Sequence, residues 1–395
     1  MSRLPLVFLT LVAAISSPAQ QPQPAGAIQE RFASLDKDGD GRLSAAEAPR
    51  PELMGRVDTD GDGMASLEEF MAFVQSLPQR GNGAETPAKN VRPETAEDAA
   101  AFAAAAAYLE SKNGHAMLVY LGGELVFERY FNGYVKEVPH LLASGTKSFS
   151  GAMAIAAVQD GFLDLDEKVA DTLTEWKDDE RKSRITVRQL LSLRSGIAGG
   201  DNGSVPPYAA AVKMAEAVAE PGTKFSYGPI PFQCFGELMR RKLEPKGESV
   251  EAYLARRILK PIGLEPSFWR KDRDGNINLP SGAFLTSHEW ARFGLFIQRN
   301  GMWSGEQILD PKLLQQCFRG SKANPAYGLT FWLKAGDGIP DDLVMAAGKG
   351  KQKLYILPSL DLMVLQFADA KGYQENEFLK RVLKDLPRVN GDTAK

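Results

Sequence analysis

The sequence predicts a mixed α/β domain over residues 99–390, with a small, acidic, all-α segment in front of it. Three observations carry this expectation. Strand-like runs lie near both ends of the larger region, acidic side chains concentrate in residues 30–75, and Pro-rich polar spacers separate the parts. With 395 residues, 44% hydrophobic and 25% charged, the chain has material for a large core and a small one, and is too apolar for a disordered protein.

Taken in order, the chain opens with Arg3 before an apolar run from Leu4 to Ile15, followed by Ser17-Pro18-Ala19, small residues at the spacing a signal peptidase accepts. Residues 1–19 are therefore expected to be a signal peptide. The run is too short to span a bilayer comfortably and no later segment offers eighteen unbroken apolar residues, so a secreted or periplasmic protein without a stable membrane anchor is expected. Residues 20–26 form a polar, Pro-rich spacer, the acidic segment occupies 27–77, and 78–98 is a second spacer. An Ala-rich helix over 99–109 comes next, then strands over 115–120 and 124–131 joined at Gly122-Gly123. The middle is mainly helical in pattern. Strands over 353–358 and 360–367, turning at Pro358-Ser359, and a closing helix over 374–386 complete the domain, so one sheet should join its two ends.

The formal net charge is −3, from 47 Lys and Arg against 50 Asp and Glu. Residues 30–75 hold 11 acidic and 5 basic side chains, which leaves 42 basic and 39 acidic elsewhere. A remainder so near neutrality, without a Lys/Arg-rich run, excludes nucleic acid as the main partner. The three histidines, His115, His140 and His288, are scattered, and no Cys-x-x-Cys occurs, so zinc or haem has almost nothing to bind. Cys234 and Cys317 are the only cysteines; two buried thiols and one bridge are equally compatible with the sequence.

The acidic residues fall into a repeated pattern. Asp36, Asp38, Asp40, Arg42, Ser44 and Glu47, and again Asp58, Asp60, Asp62, Met64, Ser66 and Glu69, occupy positions one, three, five, seven, nine and twelve of two twelve-residue loops with Gly41 and Gly63 at position six. The first three positions give carboxylates, the seventh a backbone carbonyl, the ninth a hydroxyl and the twelfth a Glu able to bind through both oxygens. Calcium, a hard cation wanting six to eight oxygens, fits this set. The loops resemble EF-hands. Ten residues, two of them proline, separate them, and few apolar residues remain to build a switchable groove, so two structural Ca²⁺ sites are expected rather than a sensor.

Elsewhere the chemistry must come from hydroxyls, amines and carboxylates, and there is no Gly-x-Ser-x-Gly elbow. Ser144-Gly145-Thr146-Lys147 opens a small-residue helical run, and three residues make about one turn, which puts Ser144 Oγ and Lys147 Nζ on one face. A lysine takes a serine proton only if desolvation lowers its pKa. The surrounding Gly151, Ala152, Ala154, Ala156 and Ala157 imply such burial, and the helix N-terminus further disfavours the ammonium.

With GFLDLDEKV at 161–169, ITVRQLLSLRSG at 185–196, ILKPIGL at 258–264, PSGAFLTSH at 280–288 and YGLTFW at 327–332, residues 100–385 resemble the serine beta-lactamase and penicillin-binding-protein superfamily, most closely its class C and esterase branch. The resemblance implies an antiparallel sheet flanked by helices, a helical subdomain, and an acyl-enzyme on Ser144. The family's Tyr-x-Asn motif matches Tyr227-Gly228-Pro229, which implies that Tyr227 exchanges protons with Ser144 and the leaving group, without the amide that holds a substrate's acylamido group. The third motif, Lys or His before Thr or Ser and Gly, is not intact; AAGKGKQ at 346–352 is its best match, with a backbone N–H near Lys349 completing an oxyanion hole, while either lysine there equally reads as a solvated turn residue.

These losses favour a small-molecule ester or amide substrate over a beta-lactam or peptidoglycan. The expectation is an exported calcium-binding serine hydrolase, with no cofactor in catalysis. A beta-lactamase or D,D-peptidase, or an inactive calcium-dependent binding protein, are the alternatives.

Overall fold

A computed structural model describes residues 32–76, apart from 34, 45 and 48–53, and residues 96–386, apart from 202, 335 and 385. The expected signal peptide 1–19, the spacer 20–26 and residues 78–95 of the second spacer lie outside the described residues. The chain divides into two units, Met1–Gly81 and Asn82–Lys395.

In the first unit β1 (Arg42–Ser44) precedes α1 (Met54–Val57), β2 (Met64–Ser66) and α2 (Leu67–Ser76). The two strands are positions seven to nine of the two acidic loops, and they pair antiparallel with Leu43 opposite Ala65. This ribbon departs from the all-α expectation, because three residues are too few for alternation to be read. Phe32, Leu43, Val57 and Ala65 are buried, and Phe70 and Phe73 pack against them. Phe32 meets Phe70 edge to face at 5.7 Å. The apolar side chains of so small a unit are thus used in its own core.

The first described element of the second unit is α3 (Ala96–Ser111), whose first turn lies three residues inside the expected spacer. Then follow β3 (Gly114–Leu121), β4 (Glu124–Tyr130), α4 (Lys147–Gln159), α5 (Ile230–Leu243) and α6 (Ser287–Gln298). With shorter helices and strands among them, β5 (Trp332–Leu333), β6 (Val344–Gly348), β7 (Gln352–Leu357), β8 (Leu362–Ala368) and α7 (Glu375–Lys384) come last. The sheet order is β5-β6-β7-β8-β3-β4, every neighbouring pair antiparallel. Val364 of β8 sits opposite Val119 of β3, so the sheet joins the two ends of the domain as the sequence predicts. The four expected strands occur with their ends moved by one or two residues.

Strand alternation explains why both sheet faces are covered. Met117, Val119, Tyr355 and Val364 point to one side, where α3 and α7 bury Phe102, Leu109, Phe378 and Leu379 against them. Leu118, Leu354, Ile356, Met363 and Leu365 point to the other, into a core shared with Phe149 and Ile155 of α4 and Phe293 of α6. A sheet buried on both faces reads as near-continuous apolar runs, which is how its central strands were legible. Cys234 and Cys317 are both free and buried, and burial pushes the Cys317 thiol up to about 12, so the two-thiol alternative holds. Among the described residues no helix is long and apolar enough to cross a membrane.

Candidate active site

The serine motif sits where three elements converge. The strand His140–Leu141 pairs with Ala283–Leu285, and Leu142 N–H donates to Ala283 O at 2.9 Å, anchoring the chain just before the motif. Ala143 then takes φ +46°, an unusual conformation for a residue with a side chain, at the start of the 3₁₀ turn Ala143–Thr146. Ser144 lies in this turn, and Lys147 is the first residue of α4. Three residues per turn nearly eclipse positions i and i+3, which brings Lys147 Nζ within 3.0 Å of Ser144 Oγ.

Lys147 is 2% exposed. Its amine donates to Pro280 O at 3.0 Å, and stands 4.9 Å from the Tyr227 ring centroid and 5.4 Å from that of Phe232. Burial pushes the amine down to about 7. Thr146, also buried, accepts from Ala283 N–H at 3.2 Å through Oγ1, so residues 280–283 hold both ends of the turn.

Tyr227 reaches the same place from the segment before α5. Ser226 N–H donates to Leu193 O at 2.8 Å, and Ser226 Oγ accepts from Gly199 N–H at 3.0 Å, fixing that segment to the loop after residue 191. Burial raises the Tyr227 phenol, and hydrogen-bonding interactions with Ser144 and Trp332 oppose that rise. Its ring packs among Phe225 at 6.3 Å, Tyr327 at 6.2 Å and Trp332 at 5.7 Å. Pro229 is buried at the start of α5, so that position presents no amide.

β6 ends at the motif. A Cβ on Gly348 would lie 2.0 Å from Leu142 O and 3.2 Å from Gly145 N, so glycine is what lets the strand touch the serine turn. Lys349 follows directly, with its side chain exposed in the turn Lys349–Lys351. The Gly348 backbone before it lies against Leu142 and Gly145, which flank the serine, and the Lys349 side chain is exposed. The strand itself was missed, since Val344-Met345-Ala346-Ala347-Gly348 is short and ends in small residues. Also missed were Pro280, Phe232, Tyr327 and Trp332; the aromatic density of residues 325–332 was the available signal.

The acidic loops repeat one geometry. Asp36 accepts from Gly39 N–H at 2.8 Å and Gly41 N–H at 2.9 Å, and Asp58 accepts from Gly61 N–H at 2.7 Å and Gly63 N–H at 2.8 Å. Gly41 and Gly63 at position six take φ +79° and +88°, which turns each chain back on itself. Carboxylate oxygens of Asp36, Asp38 and Glu47 lie within 4.8 Å of one another, as do those of Asp58, Asp60 and Glu69. Three convergent carboxylates per loop fit a hard divalent cation. Ser44 hydrogen bonds lower the Glu47 carboxyl to about 2, and Ser66 and Thr59 bonds do the same for Glu69, so both are ionised at any working pH. Asp40 and Asp62 accept from Arg42 N–H at 2.8 Å and Met64 N–H at 2.9 Å, and the Arg42 guanidinium also pairs with Asp62, across from one loop to the other.

The sequence model of the beta-lactamase family matches residues 103–381, and that of the EF hand matches 28–47 and 52–74. The chain belongs to the beta-lactamase family, with an EF-hand pair at its N-terminal end. Monacolin J acid methylbutanoyltransferase from Aspergillus terreus is 30% identical over 157 residues, 32% of this chain and 37% of that one. The match therefore spans little more than a third of that relative. Polcalcin Ole e 3 from Olea europaea is 34% identical over 71 residues, 15% of this chain and 84% of that one. Among solved structures, EstCE1, a hydrolase with promiscuous acyltransferase activity, has a TM-score of 0.61 at 14% identity, covering 73% of this chain and 98% of its own. A family VIII carboxylesterase has a TM-score of 0.58 at 17% identity, covering 74% and 98%. At these identities the structural likeness is one of fold.

Proposed function

We propose that the protein is an exported serine hydrolase that acts through an acyl-enzyme on Ser144, on a small ester or amide, and carries two structural Ca²⁺ sites. The observation that carries the reading is the buried Lys147 amine 3.0 Å from Ser144 Oγ, with burial holding it near pH 7. A neutral amine there accepts the Ser144 proton as Oγ bonds to the substrate carbonyl carbon. The Ser144 N–H and a backbone N–H at 348–349 would face the resulting oxyanion. Collapse breaks the bond to the leaving group, which takes a proton relayed through Tyr227. Water then adds to the acyl carbonyl with Tyr227 and Lys147 as base, releasing the acid and Ser144.

Pro229 and the missing Thr-Gly motif disfavour substrates that need an acylamido contact or a carboxylate anchor, which ranks esters and small amides above beta-lactams and peptidoglycan. Turnover of p-nitrophenyl esters against nitrocefin tests the ranking. Ester turnover with nitrocefin near background is expected, and ready nitrocefin hydrolysis overturns it. Export predicts that protein recovered from the producing cell's envelope or medium begins after Ala19.

In the first unit, Asp36, Asp38, Asp40, Ser44 and Glu47 with the Arg42 carbonyl would hold one ion, and Asp58, Asp60, Asp62, Ser66 and Glu69 with the Met64 carbonyl the other. A bound calcium would supply the charge that draws each set of carboxylates together. Arg42 is an internal competitor for Asp62. Both side chains are more than a third exposed, 48% and 37%, so screening keeps the effect small. Calorimetric titration of Arg42→Gln should show one site tightened about two- to fivefold over wild type and the other unchanged. Weakening of either site would contradict this, and a large rise in exposed apolar surface on loading would contradict the structural role.

A further inference from the structure

β8 is buried along its whole length, and Gln366 is the one polar residue on it. Gln366 stands opposite Met117 of β3 and Lys353 of β7, on the sheet face that α3 and α7 cover. Burying an amide is costly unless it is hydrogen-bonded, so the partners of this one are informative. Its Nε2 donates to Lys351 O at 3.1 Å, and its Oε1 accepts from the Tyr373 hydroxyl at 2.8 Å. A backbone carbonyl only accepts, so the amide nitrogen must face Lys351 and the amide oxygen must face the phenol. Tyr373, whose hydroxyl also meets that of Tyr355 at 3.1 Å, therefore fixes which way the amide points.

Lys351 closes the turn Lys349–Lys351 after β6, and all three carbonyls of that turn are held. Gln352 Nε2 donates to Lys349 O at 3.4 Å and Ala370 N–H donates to Gly350 O at 3.2 Å, while Gln366 engages Lys351 O. Gly350 takes φ +80°, which glycine adopts freely, but Lys351 takes φ +73°, where a side chain is strained and must be held by its surroundings. The turn continues from Gly348, whose backbone lies against the serine turn and pairs with Gln352. We propose that Gln366 is a positioning residue for the oxyanion hole: from the sheet face remote from α4, its amide holds Lys351 O and so keeps the turn in the form that presents the backbone N–H at 348–349 to the oxygen of a tetrahedral intermediate on Ser144. This rests on the acyl-enzyme reading of Ser144. At 0% exposure Gln366 meets no substrate, and it acts through the placement of a hydrogen-bond donor.

The test compares wild type, Gln366→Met, and Gln366→Met combined with Tyr373→Phe, which leaves no phenol without its acceptor should the single variant fold poorly. The readouts are kcat and KM for a p-nitrophenyl ester, and the preference for that ester over the matching thionoester, whose sulfur is a weak hydrogen-bond acceptor. Acylation and deacylation both pass through an oxyanion, so in both variants kcat should fall about tenfold with KM within about twofold, and the ester preference should fall by a similar factor. A folded variant of either kind whose kcat and ester preference stay within about twofold of wild type overturns the inference. A fall in kcat with the ester preference unchanged also overturns it, since a merely structural role for Gln366 gives that result. Turnover that survives Ser144→Ala removes the acyl-enzyme reading and this inference with it, whereas an inactive Ser144→Ala beside an unaffected Gln366→Met overturns this inference alone.

Discussion

Lys147→Met lowers ester turnover by about a thousandfold and at the same time stabilises the fold at pH 7. The first effect follows from removing the proposed base for the Ser144 proton, a contribution of about 10²- to 10⁴-fold in positioned general-base catalysis. The second follows from the burial of the amine. A group 2% exposed whose pKa falls from 10.5 to about 7 carries a burden on the order of 4 kcal/mol at neutral pH. Met fills a similar volume but leaves Pro280 O without its 3.0 Å donor, which costs about 1–2 kcal/mol. The net gain is then about 2–3 kcal/mol.

Its pH dependence has a definite sign. Between pH 7 and 10.5 the unfolded chain holds a proton on Lys147 that the folded chain lacks, so wild-type stability rises with pH across that window. Lys147→Met has no such group, and its advantage is largest at pH 7 and below and shrinks towards pH 10.5. Denaturant unfolding at pH 7 and pH 9.5 checks this, and a variant less stable at pH 7, or an advantage that grows with pH, contradicts it.

Tyr227→Phe is expected to lower turnover about 10²- to 10³-fold while leaving stability within about 1 kcal/mol of wild type. The ring keeps its packing against Phe225, Tyr327 and Trp332, so what is lost is the hydroxyl proposed to relay the proton. Ser144 and Lys147 remain in contact, so slow acylation should persist and the acyl-enzyme should accumulate if deacylation depends more on the hydroxyl. Intact-mass measurement during turnover of a slow ester reads this directly. Turnover within threefold of wild type would exclude Tyr227 from the chemistry.

What the sequence made legible follows from range. The EF-hand loops are local: the loop carboxylates, the turn glycine and the closing Glu lie within twelve residues, so spacing alone makes the motif legible. Ser144 and Lys147 are equally local, one 3₁₀ turn apart. The central strands β3, β7 and β8 were visible because burial on both faces leaves them almost wholly apolar. Tyr227 needed the family's pattern, since nothing within its own segment marks it. Pro280 and Trp332 were not legible as site residues, because a carbonyl that holds an amine leaves no side-chain signature and an edge strand of two residues has no alternation. Their places beside Lys147 and Tyr227 depend on contacts across 133 residues in one case and about a hundred in the other.

The central claim is a nucleophilic Ser144, and reaction of the full chain with a fluorophosphonate probe, followed by peptide mass mapping, tests it most directly. One adduct on Ser144, formed faster as pH rises through 7 and absent in Ser144→Ala, is the predicted result. Labelling that is undiminished in Ser144→Ala, or that maps to another residue, contradicts it.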